Sequence, residues 1–92
     1  MSAKNKGSRN EHKAMKILEA AGYACCRSAA SLGVFDVIAI GPQGVRLVQV
    51  KTNRTAPPHE REAIKEFKCH PICSKELWIF YDYQRQPSIT VM

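Results

Sequence analysis

Residues 34–51 read VFDVIAIGPQGVRLVQVK, two apolar runs that flank the short sequence GPQG. Valine and isoleucine favour strands, and glycine and proline at this spacing favour a tight connection between them. The pattern therefore predicts a β-hairpin, with one strand over residues 34–40 and the other over residues 45–51.

The predicted hairpin brings three polar residues to one face of the sheet. If Ile40 lies opposite Val45, then Asp36 faces Gln49 directly across the two strands. Lys51 is two residues beyond Gln49, so it projects from the same face. The rest of that face is apolar, and polar groups at its end are costly unless they bind one another, a metal ion or a ligand. An ion pair between Asp36 and Lys51 that caps the sheet is the structural alternative.

Helices and further strands surround the hairpin. The sequence SRNE at residues 8–11 has the S-x-x-E pattern of a capping box, which predicts a helix over residues 9–21. The basic residues before it, 1–7, are expected to form a mobile arm. Apolar runs and Pro58 predict the other elements, which are strands at 23–27, 77–83 and 88–92 and a helix from 58 to about 68. The order α-β-β-β-α-β, with a last edge strand, predicts one α/β domain over residues 1–92, with a central sheet flanked by helices.

Glu11 lies on the apolar face of the first predicted helix. It stands three residues before Ala14 and seven before Leu18, on the same side of the helix. A carboxylate there can meet Asp36 near the end of the sheet. The capping box offers a structural reason for the same residue.

The charge balance favours a polyanionic partner. The chain carries 14 Lys+Arg against 8 Asp+Glu, for a net charge of +6, which is a strong bias for one small domain. A merely soluble basic protein is the alternative, since basic surface residues are usually just solvated. The residues that we consider for phosphate contacts are Lys4, Lys6, Arg9, Lys13, Arg54 and Lys75.

The remaining composition bounds location and metal content. No apolar run is long enough to span a membrane, and the polar amino terminus lacks the apolar segment of a signal peptide, so we expect an intracellular, cytoplasmic protein. Cys25 and Cys26 are expected to be small buried hydrophobes. Cys69, His70 and Cys73 form C-H-x-x-C, but a closed zinc site needs a second ligand pair. Ordinary packing and loop roles are therefore expected for these three residues, and a small interaction subunit whose cysteines bind zinc is a further alternative.

Two acids, an amide and a lysine suit phosphodiester hydrolysis, because Mg²⁺ takes oxygen ligands and lysine can orient water or stabilise phosphate charge. Glu11, Phe35-Asp36 and Gln49-Val50-Lys51 resemble the E…(P)D…(D/E)xK motif of the PD-(D/E)xK nuclease superfamily. The predicted element order resembles the mixed-sheet, restriction-endonuclease-like core of that superfamily. Segments 6–11, 22–23, 27–28 and 36–39 are similar to archaeal Holliday junction resolvases and their phage or bacterial relatives.

The resemblance implies a metal-dependent endonuclease on branched or structured DNA, often a homodimer. By motif position, Glu11, Asp36, Gln49 and the Val50 carbonyl would hold Mg²⁺ or Mn²⁺, and Lys51 would assist the attacking water. Ser28 or Ser31 matches a loop serine near the active site of the resolvases. Together with the basic residues, this gives the expected DNA contacts: Lys4, Lys6, Arg9, Lys13, Ser28, Ser31 and Arg54.

Two positions depart from the motif. Phe35 replaces a proline that contributes no chemistry. Gln49 replaces the second acid; an amide oxygen can bind Mg²⁺, but the site loses one negative charge. A catalytically degenerate, DNA-binding protein of the same fold is therefore the alternative to an active nuclease.

Overall fold

The structure is a computed structural model that describes residues 3–28 and 34–92, with side chains described from Arg9 onward. Its elements are α1 (Ala3–Ala20), β1 (Ala24–Arg27), β2 (Val37–Gly41), β3 (Gly44–Thr52), α2 (Pro58–Glu66), β4 (Cys73–Phe80) and β5 (Ser88–Val91). This order is the predicted one, and the last edge strand is present. Neither helix in the described part of the chain is long and apolar enough to cross a lipid bilayer.

The first helix is longer than the capping-box pattern predicts. It begins at Ala3, so residues 3–7 are helical rather than an arm, and Ser8 lies inside the helix. Alanine and lysine, which are good helix formers, precede Ser8 and allow the helix to extend beyond it. Residues 1–2 of the expected arm lie outside the described residues. The predicted end is confirmed, because Gly22 adopts the left-handed φ of 98° that suits glycine just after a helix.

The five strands form one mixed sheet in the order β1-β2-β3-β4-β5. Strands β1, β2 and β3 are antiparallel, β3 and β4 are parallel and joined through α2, and β5 returns antiparallel to β4. Ile40 pairs with Val45, so the predicted register of the hairpin is confirmed. Strand β4 starts at Cys73 rather than at residue 77, because the parallel ladder with β3 includes the polar residues 74–76. These residues interrupt the apolar pattern on which the predicted start of the strand was based.

The two helices cover opposite faces of the sheet. Ala14 and Leu18 of α1 pack with Val48, whereas Ile64 of α2 packs with Leu47. Neighbouring residues of a strand point to opposite faces, so Leu47 and Val48 define the two sides. Residues of β3 that share the side of Leu47 therefore face α2.

Candidate active site

The polar site forms where β2 and β3 separate. The regular ladder ends at the pair Val37 and Val48, and the Asp36 backbone N–H donates to the Val48 carbonyl at 2.8 Å. The Asp36 carboxylate Oδ2 accepts a hydrogen bond of 2.8 Å from the Val50 N–H. Asp36 therefore does not pair with Gln49 in the ladder, contrary to our prediction. Its side chain occupies the place that a backbone group of β2 would otherwise fill.

The Val50 carbonyl belongs to the same opening. In an antiparallel ladder, the N–H and C=O of one residue point toward the same neighbouring strand. The Val50 N–H reaches the Asp36 carboxylate, so its carbonyl faces the end of β2 as well. A carboxylate oxygen and a backbone carbonyl oxygen therefore lie on the same side of β3.

Gln49 and Lys51 lie on the α2 side of the sheet and meet a residue that the motif did not predict. The Lys51 ammonium donates to both carboxylate oxygens of Glu60 at 3.0 Å. The Gln49 amide Nε2 contacts the same carboxylate at 3.4 Å. Glu60 lies in the first turn of α2, where the interaction with the helix dipole is by itself a sufficient reason for an acidic residue. The sequence pattern therefore did not mark Glu60 as a site residue.

Glu11 reaches this end of the sheet from α1. The neighbouring Asn10, which is buried, donates from Nδ2 to the Thr52 hydroxyl at 2.7 Å and so fixes α1 against the end of β3. The Glu11 carboxylate binds the Arg27 guanidinium, at 3.0 Å from Nε. Arg27, at the end of β1, is a second residue at the site that sequence reasoning did not select.

Negative charge accumulates around Asp36. Burial raises the pKa of Asp36 above its usual range, and the charges of Glu11 and Glu60 raise it further. The Val50 hydrogen bond and the Lys51 charge oppose this without cancelling it. An added cation would relieve the crowding, because an opposite charge nearby favours the ionised carboxylate.

Gln49 supplies a second reason to consider a cation. Only 5% of the residue is exposed, and its Oε1 has no hydrogen-bond donor among the described residues. The amide orientation follows from chemistry, because the Glu60 carboxylate only accepts hydrogen bonds and so selects Nε2. Buried acceptors are rarely left without a partner, and an amide oxygen suits a hard divalent ion.

Within residues 3–28 and 34–92, no three His, Cys, Asp or Glu side chains are arranged to hold a metal ion. The zinc alternative built on Cys69, His70 and Cys73 therefore finds no support in the described part of the chain. At the polar site, the oxygen set depends on the Gln49 amide and the Val50 carbonyl as well as on carboxylates. Cys25 is partly buried as expected, but Cys26 is exposed, since successive strand residues alternate between faces.

The residues expected or considered for contacts with DNA separate into three groups. Arg9, Lys13 and Arg54 are exposed, and Ser28 lies at the site, where its N–H donates to the Asp36 carbonyl at 2.8 Å. Lys75 instead holds the end of α2, with hydrogen bonds to the carbonyls of Lys65 and Phe67. The expected contacts of Lys4, Lys6 and Ser31 lie outside the described residues, because the side chains of the two lysines and the whole of Ser31 are not described.

Comparison with known proteins identifies the family. A profile of the archaeal Holliday junction resolvase (Hjc) family matches residues 2–68. A search of curated proteins finds no match. Among solved structures, the chain is similar to Hjc from Archaeoglobus fulgidus, a Holliday junction resolvase from an archaeal hyperthermophile, with a TM-score of 0.75 and 18% identity over 90% of this chain and 73% of that one. The likeness confirms the restriction-endonuclease-like fold, and the family match covers most of the sequence, including the whole polar site; the chain belongs to the archaeal Holliday junction resolvase family.

Proposed function

We propose that the protein is an endonuclease that hydrolyses phosphodiester bonds in branched DNA of the Holliday junction type, with Mg²⁺ or Mn²⁺ as cofactor. The observation that carries the proposal is the convergence of Asp36, Gln49 and Lys51 where β2 and β3 separate, with a buried amide oxygen to which no described residue donates. Family membership supports the same reaction class. An enzyme of this class works on DNA inside the cell.

The residues that would hold the cation are Glu11, Asp36 and Gln49, together with the Val50 carbonyl. All of them offer oxygen, which suits Mg²⁺ or Mn²⁺ rather than a soft metal. When bound, such a cation polarises the phosphate and makes a bound water more acidic. The hydrogen bond from the Val50 N–H fixes the Asp36 carboxylate in one orientation before any ligand arrives.

Lys51 is positioned for the electrostatic part of the reaction. Its ammonium is held by the Glu60 carboxylate and is only 17% exposed, so it retains its place at the site. A cation fixed in a partly buried site stabilises the charge that builds on the phosphate better than a mobile surface lysine does. Lys51 can also donate a hydrogen bond that orients the attacking water.

The test of this function is a cleavage assay with Mg²⁺ or Mn²⁺ on four substrates: a four-way junction, a flap, a linear duplex and single-stranded DNA. We expect cleavage of the junction that requires the metal ion and exceeds cleavage of the linear duplex. Binding of the junction without cleavage under either metal would instead favour the catalytically degenerate DNA-binding protein. The specific observation in favour of that alternative is that Gln49 replaces the second acid of the motif.

DNA binding should depend steeply on salt. The net charge of +6 and the exposed Arg9, Lys13 and Arg54 provide phosphate contacts, and each contact releases counterions on binding. We expect junction affinity, measured by fluorescence anisotropy with Ca²⁺ to prevent cleavage, to fall by about tenfold or more between 50 and 200 mM salt. Undetectable binding at low salt, or an affinity that does not change with salt, would contradict a phosphate-binding surface.

We also propose that the active form is a homodimer. A domain of this size buries only around two thirds of its unfolded surface, so a partner subunit adds stability. The edge strand β5 leaves Ile89 46% exposed and Val91 67% exposed, and an apolar edge of this kind is a liability in a monomer. Analytical ultracentrifugation should therefore give about twice the mass of one chain, and a monomer at micromolar concentration would exclude the proposal.

A further inference from the structure

We propose that Glu60, from α2, supplies the cation site with the negative charge that Gln49 does not provide from β3. The inference rests on the proposed metal-dependent function and adds a residue to its site. Glu60 has two tasks in this view. It contributes the missing negative charge, and it orients the Gln49 amide so that Oε1 is left for the cation.

The position of Glu60 follows from the packing of α2. Ile64 is fully buried against the sheet, and Glu60 precedes it by one helical turn on the same face. Glu60 is therefore directed to the part of the sheet that carries Gln49 and Lys51. Glu62 and Glu66 of the same helix are exposed, so the three acidic residues of α2 are not equivalent.

Contacts and charge connect Glu60 to every other member of the site on the α2 side. Its carboxylate lies 3.4 Å from the Gln49 amide nitrogen and 3.0 Å from the Lys51 ammonium. Its charge also acts on Asp36. A glutamate at position 49 would place a second carboxylate beside the first, whereas the observed pair of Gln49 and Glu60 keeps one charge and adds an amide oxygen to which no described residue donates.

The buried Oε1 of Gln49 is an independent observation that points to a ligand. An ion pair between Glu60 and Lys51 alone explains the carboxylate, but it does not explain an amide that is 5% exposed and leaves its oxygen without a donor among the described residues. A cation bound by that oxygen, with the Glu60 charge beside it, accounts for both.

The inference predicts metal affinity, which can be measured without DNA. Isothermal titration of the whole protein with Mn²⁺ would compare wild type, Glu60→Gln, Glu62→Gln as the exposed control on the same helix, and the exchanged variant Gln49→Glu/Glu60→Gln. Glutamine at position 60 can still accept the hydrogen bonds from Gln49 and Lys51, so Glu60→Gln removes the charge and little else.

We expect Glu60→Gln to weaken Mn²⁺ binding by about tenfold or more, because ligand charge is a main determinant of affinity for hard cations and loss of a supporting residue typically costs 10–100-fold. Glu62→Gln should bind as wild type does, and the exchanged variant should recover most of the affinity.

Thermal unfolding of each variant shows that it is folded, and Glu60→Ala, which also removes the charge, replaces Glu60→Gln if the latter does not fold. Unchanged Mn²⁺ affinity in folded Glu60→Gln, or no recovery in the folded exchanged variant, would overturn the role of Glu60 while leaving the nuclease intact if wild type still cuts junctions. If Glu60 only positions Lys51, Glu60→Gln would slow cleavage at wild-type Mn²⁺ affinity, which also overturns the inference. Wild type that neither binds Mn²⁺ nor cleaves DNA would remove the proposed function and this inference with it.

Discussion

Asp36→Asn should abolish junction cleavage while leaving the protein at least as stable as wild type when no metal is present. Cleavage should fall by at least about 100-fold, since the loss of even a supporting residue of a metal ligand costs 10–100-fold. Stability should be kept, because the asparagine oxygen can still accept the hydrogen bond from the Val50 N–H. The substitution also removes a charge that Glu11 and Glu60 repel.

The stability difference should depend on pH in a defined direction. Burial raises the pKa of Asp36 in the folded protein, so folding favours its protonated form. Wild-type stability should therefore decline as the pH rises from the usual aspartate pKa through the raised one, and Asp36→Asn lacks this decline. Urea unfolding in EDTA should show the variant as more stable at pH 7, with the difference lost in acid below the usual aspartate pKa.

A second variant separates charge from hydrogen bonding at this position. Asp36→Ala removes the acceptor of the Val50 N–H as well as the charge, so it should be less stable than Asp36→Asn by about 1–3 kcal/mol. Equal stability of the two variants would show that the hydrogen bond to Val50 contributes little. Wild-type cleavage by Asp36→Asn would remove Asp36 from the active site altogether.

The parts of the site that the sequence predicts are those fixed by local geometry. The GPQG turn sets the hairpin register, and a strand repeats every two residues, so the shared face of Gln49 and Lys51 follows once Ile40 pairs with Val45. The phase of Glu11 follows in the same way from helical spacing. Asp36 departs from its predicted pairing because its own carboxylate competes with the backbone for the Val50 N–H, which a register argument does not consider.

The contacts that Glu60 and Arg27 make at the site depend on tertiary packing, and local patterns do not predict those contacts. Helical spacing places Glu60, but neither Glu62 nor Glu66, one turn before Ile64, and the docking of Ile64 against Leu47 brings Glu60 to the site. The contact of Arg27 with Glu11 likewise requires that β1 end beside α1. The sequence motif identifies the site residues of the β2–β3 hairpin. The charged residues that surround them belong to other elements, which pack around the hairpin.

A buried ion pair between Arg46 and Glu76, on the other side of the sheet, was also not predicted from the sequence. Glu76 lies in the middle of β4 and is only 2% exposed. Its carboxylate accepts two hydrogen bonds of 2.7 Å from Arg46, one from Ser74 and one from Trp78. Burial raises the pKa of Glu76, but the hydrogen bonds from Arg46, Trp78 and Ser74 together hold it below its usual value. Ser74 and Glu76, two of the polar residues at the start of β4, thus satisfy one another inside the fold.

Arg46→Met should be the most destabilising of the changes considered, because it leaves the Glu76 carboxylate buried without its cationic partner. Removal of one member of a buried pair typically costs about 3–5 kcal/mol, and methionine also lacks the guanidinium that lies over the rings of Tyr23 and Trp78. The double variant Arg46→Met/Glu76→Leu should recover most of the loss, since apolar replacement of a buried pair is often neutral or stabilising.

The lowered pKa of Glu76 means that its contribution to stability is present above the usual glutamate pKa and is lost as the pH falls through the folded-state value. The gap between wild type and Arg46→Met in urea unfolding should therefore be wide at pH 7 and narrow in acid. A loss below about 1 kcal/mol at pH 7, which is the range of an exposed pair, would show that solvent rather than Arg46 compensates the Glu76 charge.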